Sequence, residues 1–232
     1  MLTRAQRKAG KAILDAICEY GAVLAGGAAM NEAHLINRPT TDLDFFTNDL
    51  KAELRNIASL AADALAEIGM ETTLVQSSPH FVKLYVDAGK RSSFEVEFGF
   101  DSIEYETVVG AIGPRLCDKE LAVNKILAAF GRIAPRDIMD LASLDGHFDW
   151  AQLFDGAKAK DGGFNLDTLS EMLAMNLASK EWRNYANVDD ARAFGQTMID
   201  KIIPDVTLLA VHAQTKTASA APGSMWPKIR LR

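Results

Sequence analysis

Val23-Leu24-Ala25-Gly26-Gly27 is a short apolar run closed by two glycines. After fourteen further residues comes Asp42-Leu43-Asp44-Phe45-Phe46, in which acids alternate with apolar residues. Ala22–Ala25 reads as a buried strand, with Gly26-Gly27 as the tight turn at its end. Ala28–Ile36 then reads as a helix, broken at Arg38-Pro39 because the residue before a proline is pushed out of the α region. Thr40–Phe46 alternates with a strand period, which puts Leu43 and Phe45 on one face and Asp42 and Asp44 on the other. Two carboxylates on one strand face repel, and each raises the other's pKa unless a cation lies between them. Hard oxygen ligands of this kind suit Mg2+, which is commonly shared with substrate phosphates. The glycines leave backbone N–H groups free to cradle a phosphate chain.

Working outward, an apolar stripe (Leu50, Leu54, Ile57, Ala61, Leu65, Ile68) makes a helix that Thr47 or Asn48 can cap, with Gly69 at its end. Glu71–Gln76, Phe81–Val86 and Ser93–Phe100 read as strands, the last two joined as a hairpin at Ala88-Gly89-Lys90-Arg91. In that hairpin Glu95 and Glu97 share one face, so either can serve as the third carboxylate of a two-metal site; Glu97, at mid-strand, is preferred. Alone, an Asp-x-Asp on a strand is more often a solvated sheet face. The order strand, Gly-Gly, helix, Asp-x-Asp strand, acid-bearing hairpin favours chemistry. There is no GxxxxGK[ST] and no GxGxxG, so neither a P-loop nor a dinucleotide-binding crossover is supported.

Beyond about residue 113 strand patterns fade, and helices are expected at about 118–130, 135–146, 150–156, 166–178 and 188–202. Met172 and Met175 read as core, and Trp182 and Tyr185 either stack on a base or pack half-exposed. Thr215–Gly223 reads as a linker and Trp226–Arg232 as a basic tail. The expected class is α+β: a core with a mixed β-sheet over 1–112, a helical C-terminal domain over 113–213, and a flexible tail over 214–232.

Composition narrows the function classes. With 232 residues, 48% hydrophobic and 24% charged, the chain is an ordinary globular protein rather than a disordered or fibrous one. Cys18 and Cys117 are its two cysteines, too few for a disulfide scaffold or a thiolate zinc cluster. A formal charge of −6 argues against bulk coating of DNA. The basic start of the first helix mimics a leader, but Asp15 and Glu19 interrupt it. No run approaches the roughly 18 apolar residues of a membrane span, so a cytoplasmic protein with no membrane partner is expected. His34, His80, His147 and His212 show no metal-ligand spacing.

Leu24-Ala25-Gly26-Gly27 with Arg38-Pro39-Thr40-Thr41-Asp42-Leu43-Asp44-Phe45-Phe46 resembles the opening of the AbiEii-type nucleotidyltransferases, toxin halves of bacterial AbiE and MenA/MenT-type systems, within the polymerase-beta-like superfamily. Lys119–Arg132 resembles the family's helical lysine segment, and Pro135-Arg136-Asp137-Ile138-Met139-Asp140-Leu141 its Arg-Asp-x-x-Asp segment. The resemblance spans about 20–145. Gly-Gly stands where many relatives have Gly-Ser.

By periodicity alone, Asp118 and Lys125 lie opposite the stripe Val123, Ile126, Leu127, Phe130, as a solvated charged face would. The resemblance instead implies that Lys125 reaches nucleotide phosphates, with Gly26, Gly27, Thr41, Arg136 and Asp137 at the nucleotide. Arg136, Asp137 and Asp140 serve equally well as braces between the two halves. The expected activity is transfer of a nucleoside monophosphate from an NTP to an acceptor hydroxyl, with Asp42, Asp44 and Glu97 holding two Mg2+ ions, Mn2+ being the substitute. The resemblance implies an RNA acceptor, in particular a tRNA 3′ end, and a cognate antitoxin in a toxin–antitoxin or phage-defence setting. The alternatives are an aminoglycoside-type small-molecule transferase and a non-catalytic partner-binding relative.

Overall fold

The computed structural model describes residues 1–89, 92–186 and 188–219. Helix α1 (Arg4–Ala16) begins at a capping box: Thr3 Oγ1 accepts from the Gln6 N–H, and the Gln6 side chain accepts from the Thr3 N–H. The buried Gln6 amide also donates to the Thr40 carbonyl at 2.9 Å, which pins the chain just before the Asp-x-Asp strand. Strand β1 (Val23–Ala25) runs directly into α2 (Gly26–Glu32). The expected tight turn is made by Gly26, at φ +57°, as the opening residue of that helix. Asn31 on α2 donates to both the Gly27 and Arg38 carbonyls, at 3.1 and 2.9 Å, and so holds the returning loop against its own helix.

Strand β2 (Asp42–Thr47), helix α3 (Leu54–Glu67) and strands β3 (Glu71–Ser78), β4 (Phe81–Asp87) and β5 (Ser93–Phe100) follow, then the short β6 (Val108–Val109) and β7 (Pro114–Arg115). They form one mixed sheet in the order β3-β4-β5-β2-β1-β7-β6. β2 runs parallel to β5, β1 parallel to β7, and the other neighbours are antiparallel. The β4–β5 hairpin is present; its tip residues 90 and 91 lie outside the described residues. Helix α3 starts later than its apolar stripe implies. Thr47 is not its cap but closes β2, its hydroxyl donating to the Tyr20 carbonyl at 2.6 Å and accepting from the Asp49 N–H. Leu50, counted in the stripe, is consequently 80% exposed.

The helical region comprises α4 (Asp118–Gly131), α5 (Pro135–Leu144), α6 (Trp150–Lys160), α7 (Leu166–Leu177), α8 (Asp189–Thr197) and α9 (Ile203–Ser219). Pro135 opens α5 at its first position, where no N–H is needed. The single helix expected over 188–202 is α8 followed by a π-helical turn, Met198–Ile202. α9 then continues to Ser219, into the stretch read as a linker; the basic tail lies outside the described residues. Met175 is exposed rather than core. Trp182 is buried, its Nε1 donating to the Asn176 carbonyl at 2.8 Å. No helix among the described residues is long and apolar enough to cross a membrane.

One continuous hydrophobic core joins Leu43 and Phe45 of β2 to Ile126 of α4 and Ile138 of α5. A polar latch crosses the same seam. Glu120 on α4, fully buried, accepts from the Glu104 and Tyr105 N–H groups at 3.1 and 2.9 Å and from Lys160 on α6. Lys160 also donates to Asp101 just after β5 at 2.9 Å and to Asn124 on α4 at 2.7 Å. Removing one partner strands a buried charge, which costs about 3–5 kcal/mol. Lys160→Ala should lose stability of that order in urea denaturation, and Glu120→Gln with Lys160→Met should lose clearly less.

Candidate active site

Asp42, Asp44 and Phe46 alternate with the buried Leu43, Phe45 and Thr47, so all three project from one face of β2. The parallel register sets Asp42 opposite Glu95, Asp44 opposite Glu97, and Phe46 opposite Gly99 on β5. Of the two glutamates, Glu97 lines the same cavity as Asp42 and Asp44, about 320 Å³ in volume, and Glu95 does not. The register makes Glu97 the direct neighbour of Asp44, whereas Glu95 lies one row back, beside Asp42. A larger, shallower hollow of about 510 Å³ lies on α1 among Arg4, Arg7, Lys8 and Lys11; it lacks any pair of acids.

Gly26 is required by Asp44. Its φ of +57° is left-handed, and a Cβ there would overlap Asp44 Oδ2 and lie 2.5 Å from Cγ. The carboxylate thus rests on bare backbone at the start of α2. Asp42 accepts from the Thr40 hydroxyl. Glu97 Oε1 lies 2.7 Å from Lys83 Nζ, which also reaches Glu95 at 2.9 Å. Those two glutamates hold the lysine's pKa above its ordinary value. Burial first, then Asp42 and Glu97, push the Asp44 carboxyl up to about 8, against the opposing pull of Lys125.

The opposite wall is basic and comes from the helices. Lys125 on α4 is buried, with Nζ 3.0 Å from Asp137 Oδ1 and 2.9 Å from Asp140 Oδ2. Asp140 also receives Arg38 in a bidentate pair, Nε to Oδ1 at 2.6 Å and Nη2 to Oδ2 at 2.7 Å. Asp137 receives Arg132 through Nε at 2.8 Å and Nη2 at 3.1 Å. Burial alone would lower the lysine's pKa and raise that of Asp137. The ion pairs outweigh it, so Lys125 is held above and Asp137 below its ordinary value. Asp42 adds to the forces that raise the Arg38 pKa, and Asp44 and Asp42 do the same for Arg132. The acid wall and the basic wall therefore feel one another across the cavity.

The structure brings Gly26, Gly27, Asp42, Asp44, Glu97, Lys125 and Arg136 to one cavity. Arg136 makes no hydrogen bond or ion pair with the described residues. Asp137 sits behind the wall as the partner of Lys125 and Arg132. Thr41 is exposed and away from the cavity, its carbonyl accepting from the Glu95 N–H at 3.0 Å; Thr40, one residue earlier, makes the contact with Asp42. Lys125 is not on a solvated face: the helix turns that face toward α5. Arg38, read only as a helix breaker, and Arg132 are the site residues that sequence reasoning undervalued. Arg38 pairs across 102 positions, a separation that no local pattern reveals.

The residues fit a divalent cation by charge: Asp42, Asp44 and Glu97 lie together at the cavity, and Asp42 and Glu97 add to the burial that disfavours a bare charge on Asp44. Among the described residues no three His, Cys, Asp or Glu side chains already form a metal cluster, since Asp42 is turned to Thr40 and Glu97 to Lys83.

The family model described as nucleotidyl transferase AbiEii toxin, type IV TA system, matches residues 12–194. No curated protein matches by sequence. The crystal structure of JHP933 from Helicobacter pylori superposes with a TM-score of 0.58 at 16% identity, covering 94% of this chain and 100% of that one. A candidate nucleotidyltransferase from H. pylori gives 0.57 at 18% identity over 87% of this chain and 95% of its own. At these identities the likeness is one of fold.

Gly26→Ala should cost about 1–3 kcal/mol from the left-handed backbone alone, and more from displacing Asp44. Thermal unfolding should show part of that loss recovered by adding Asp44→Ala. A carboxyl raised from about 4 in the unfolded chain to about 8 binds its proton more tightly in the folded state. Metal-free protein should therefore lose stability as pH rises from about 4 to 8. Asp44→Asn should flatten that slope, and Mg2+ should raise the melting temperature more at high pH than at low.

Proposed function

This chain belongs to the AbiEii family of nucleotidyl transferase toxins of type IV toxin–antitoxin systems, and we propose that it transfers a nucleoside monophosphate from an NTP to the 3′ hydroxyl of an RNA, in particular a tRNA, as the toxin of such a system. The observation that carries the reading is the pair of facing walls: Asp42, Asp44 and Glu97 on the sheet, and Arg38, Lys125, Arg132 and Arg136 on the side of the helices. An acid row serves the reacting phosphorus and the hydroxyl; a basic row serves a triphosphate.

Asp42, Asp44 and Glu97 would hold two Mg2+ ions, exchanging Thr40 and Lys83 for them as partners. When bound, these ions activate the attacking hydroxyl and neutralise the triphosphate and its leaving group. The chain's own residues do the rest. Lys125 and Arg132, already anchored by Asp137, and the unpaired Arg136 take the phosphates. Gly26 and Gly27 let the chain approach closely at the start of α2. Glu97, or a group near it, receives the proton of the attacking hydroxyl. Positioning and electrostatics are most of what phosphoryl-group transfer demands of a protein.

Labelled NTPs, Mg2+ and total RNA form the test. Wild-type protein should label RNA and release pyrophosphate, and Asp42→Ala or Asp44→Ala should cut labelling by at least about a hundredfold, since even the outer partners of a metal ligand are worth tenfold to a hundredfold. Labelling of an aminoglycoside instead would select the small-molecule alternative. Should nothing be labelled, and metal and NTP binding survive in both variants, the catalytic reading fails. Expression should arrest growth in a manner lost with Asp44→Ala; arrest by the variant would mean another mode of harm.

A further inference from the structure

The cavity face does not end at the acids. One row beyond Asp44 and Glu97, about 7 Å along the strands, Phe46 lies against Gly99. Gly99 is paired in turn with Phe81 on β4. The Phe46 ring lies directly over residue 99, where a Cβ would be in van der Waals contact with it at 3.4 Å. Phe46 and Phe81 are half-buried and both line the cavity. Phe45, one residue before, is fully inside the core, stacked on Phe98. His80 and Phe100 meet edge to face at the rim, with ring centroids 6.3 Å apart. Phe46 and Phe100 pack against the core on one side and, with Phe81, turn part of their surface to the cavity.

We propose that this aromatic floor is the platform on which the terminal base of the acceptor stacks, an inference that rests on the reaction proposed above. Displacement at a phosphoryl group is in line, so the hydroxyl enters opposite the departing pyrophosphate. The cations that hold phosphate face Asp42 and Asp44, and the uncharged floor continues past Glu97, on the entry side. A flat π surface suits any unpaired base, because every base has a π face to stack on it. Its phenyl rings offer an aminoglycoside, a polycation, no carboxylate beyond the three that would hold the metal ions. The acceptor class is thus an RNA with an unpaired 3′-terminal nucleotide.

The test uses the full chain with Mg2+, labelled NTP and two oligoribonucleotides that reproduce the 3′ end of the RNA labelled in the total-RNA assay. One carries its terminal base; the other ends in an abasic ribose. Wild-type protein should favour the base-bearing acceptor by about tenfold in kcat/KM, mainly through KM. Phe46→Ala and the exposed His80→Ala should erase that preference and leave NTP affinity unchanged, while Phe46→Tyr should restore it. Equal use of both acceptors by the wild type, or a preference that survives both alanine variants, overturns the platform. So does a loss of NTP affinity in Phe46→Ala with acceptor KM unchanged, since the donor base then occupies the floor. Wild-type protein that labels no RNA at all overturns the underlying acceptor reading instead.

Discussion

Lys125 sits between Asp137 and Asp140 with almost no access to water, and the arrangement of the site depends on that placement. Two fully buried carboxylates cannot stay ionised without close cations, and three converge on them: Lys125 from α4, Arg132 from the end of the same helix, and Arg38 from the loop that leads into β2. The chain of charges Arg38–Asp140–Lys125–Asp137–Arg132 thereby crosses from sheet to helices and sets the distance between the walls of the cavity. Such a network adds little net stability over apolar packing of the same volume, but breaking it is costly. It specifies a geometry. With three cations to two acids it also leaves a surplus positive charge pointing at the acid row.

Much of this was legible in the sequence wherever the physics is local. The alternation of Thr40–Phe46 gave the face of the acids, the pattern of Ser93–Phe100 matches β5 residue for residue, and the stripe of Val123, Ile126, Leu127 and Phe130 located α4. Parity alone put Glu95 and Glu97 on one face; only the register between β2 and β5 shows which of them lies beside Asp44. What local patterns could not supply was pairing at a distance. Arg38 beside a proline looks like punctuation, and Lys125 opposite an apolar stripe looks solvated, until α5 folds back onto both. Phe46 lies in a strand, where an aromatic is read as core by default, and the side to which the cavity opens is not written in the alternation.

The formal charge of −6 is likewise a poor guide to what the molecule binds. Charge at the cavity is segregated by wall: Asp42, Asp44 and Glu97 line it from the strands, and Arg38, Lys125, Arg132 and Arg136 from the helices and the loop beside them. A sum over the chain cancels the contrast that matters. Lys83 makes the same point at shorter range, since it neutralises part of the acid row from within the sheet.

Gly26 carries a consequence that reaches beyond this chain. Its missing side chain and the second aspartate occupy one volume, so the two positions cannot vary independently. In any chain with this backbone, a side chain at position 26 would push the carboxylate of the second aspartate out of the acid row. The glycine therefore fixes the direction of the acid as much as the turn of the backbone.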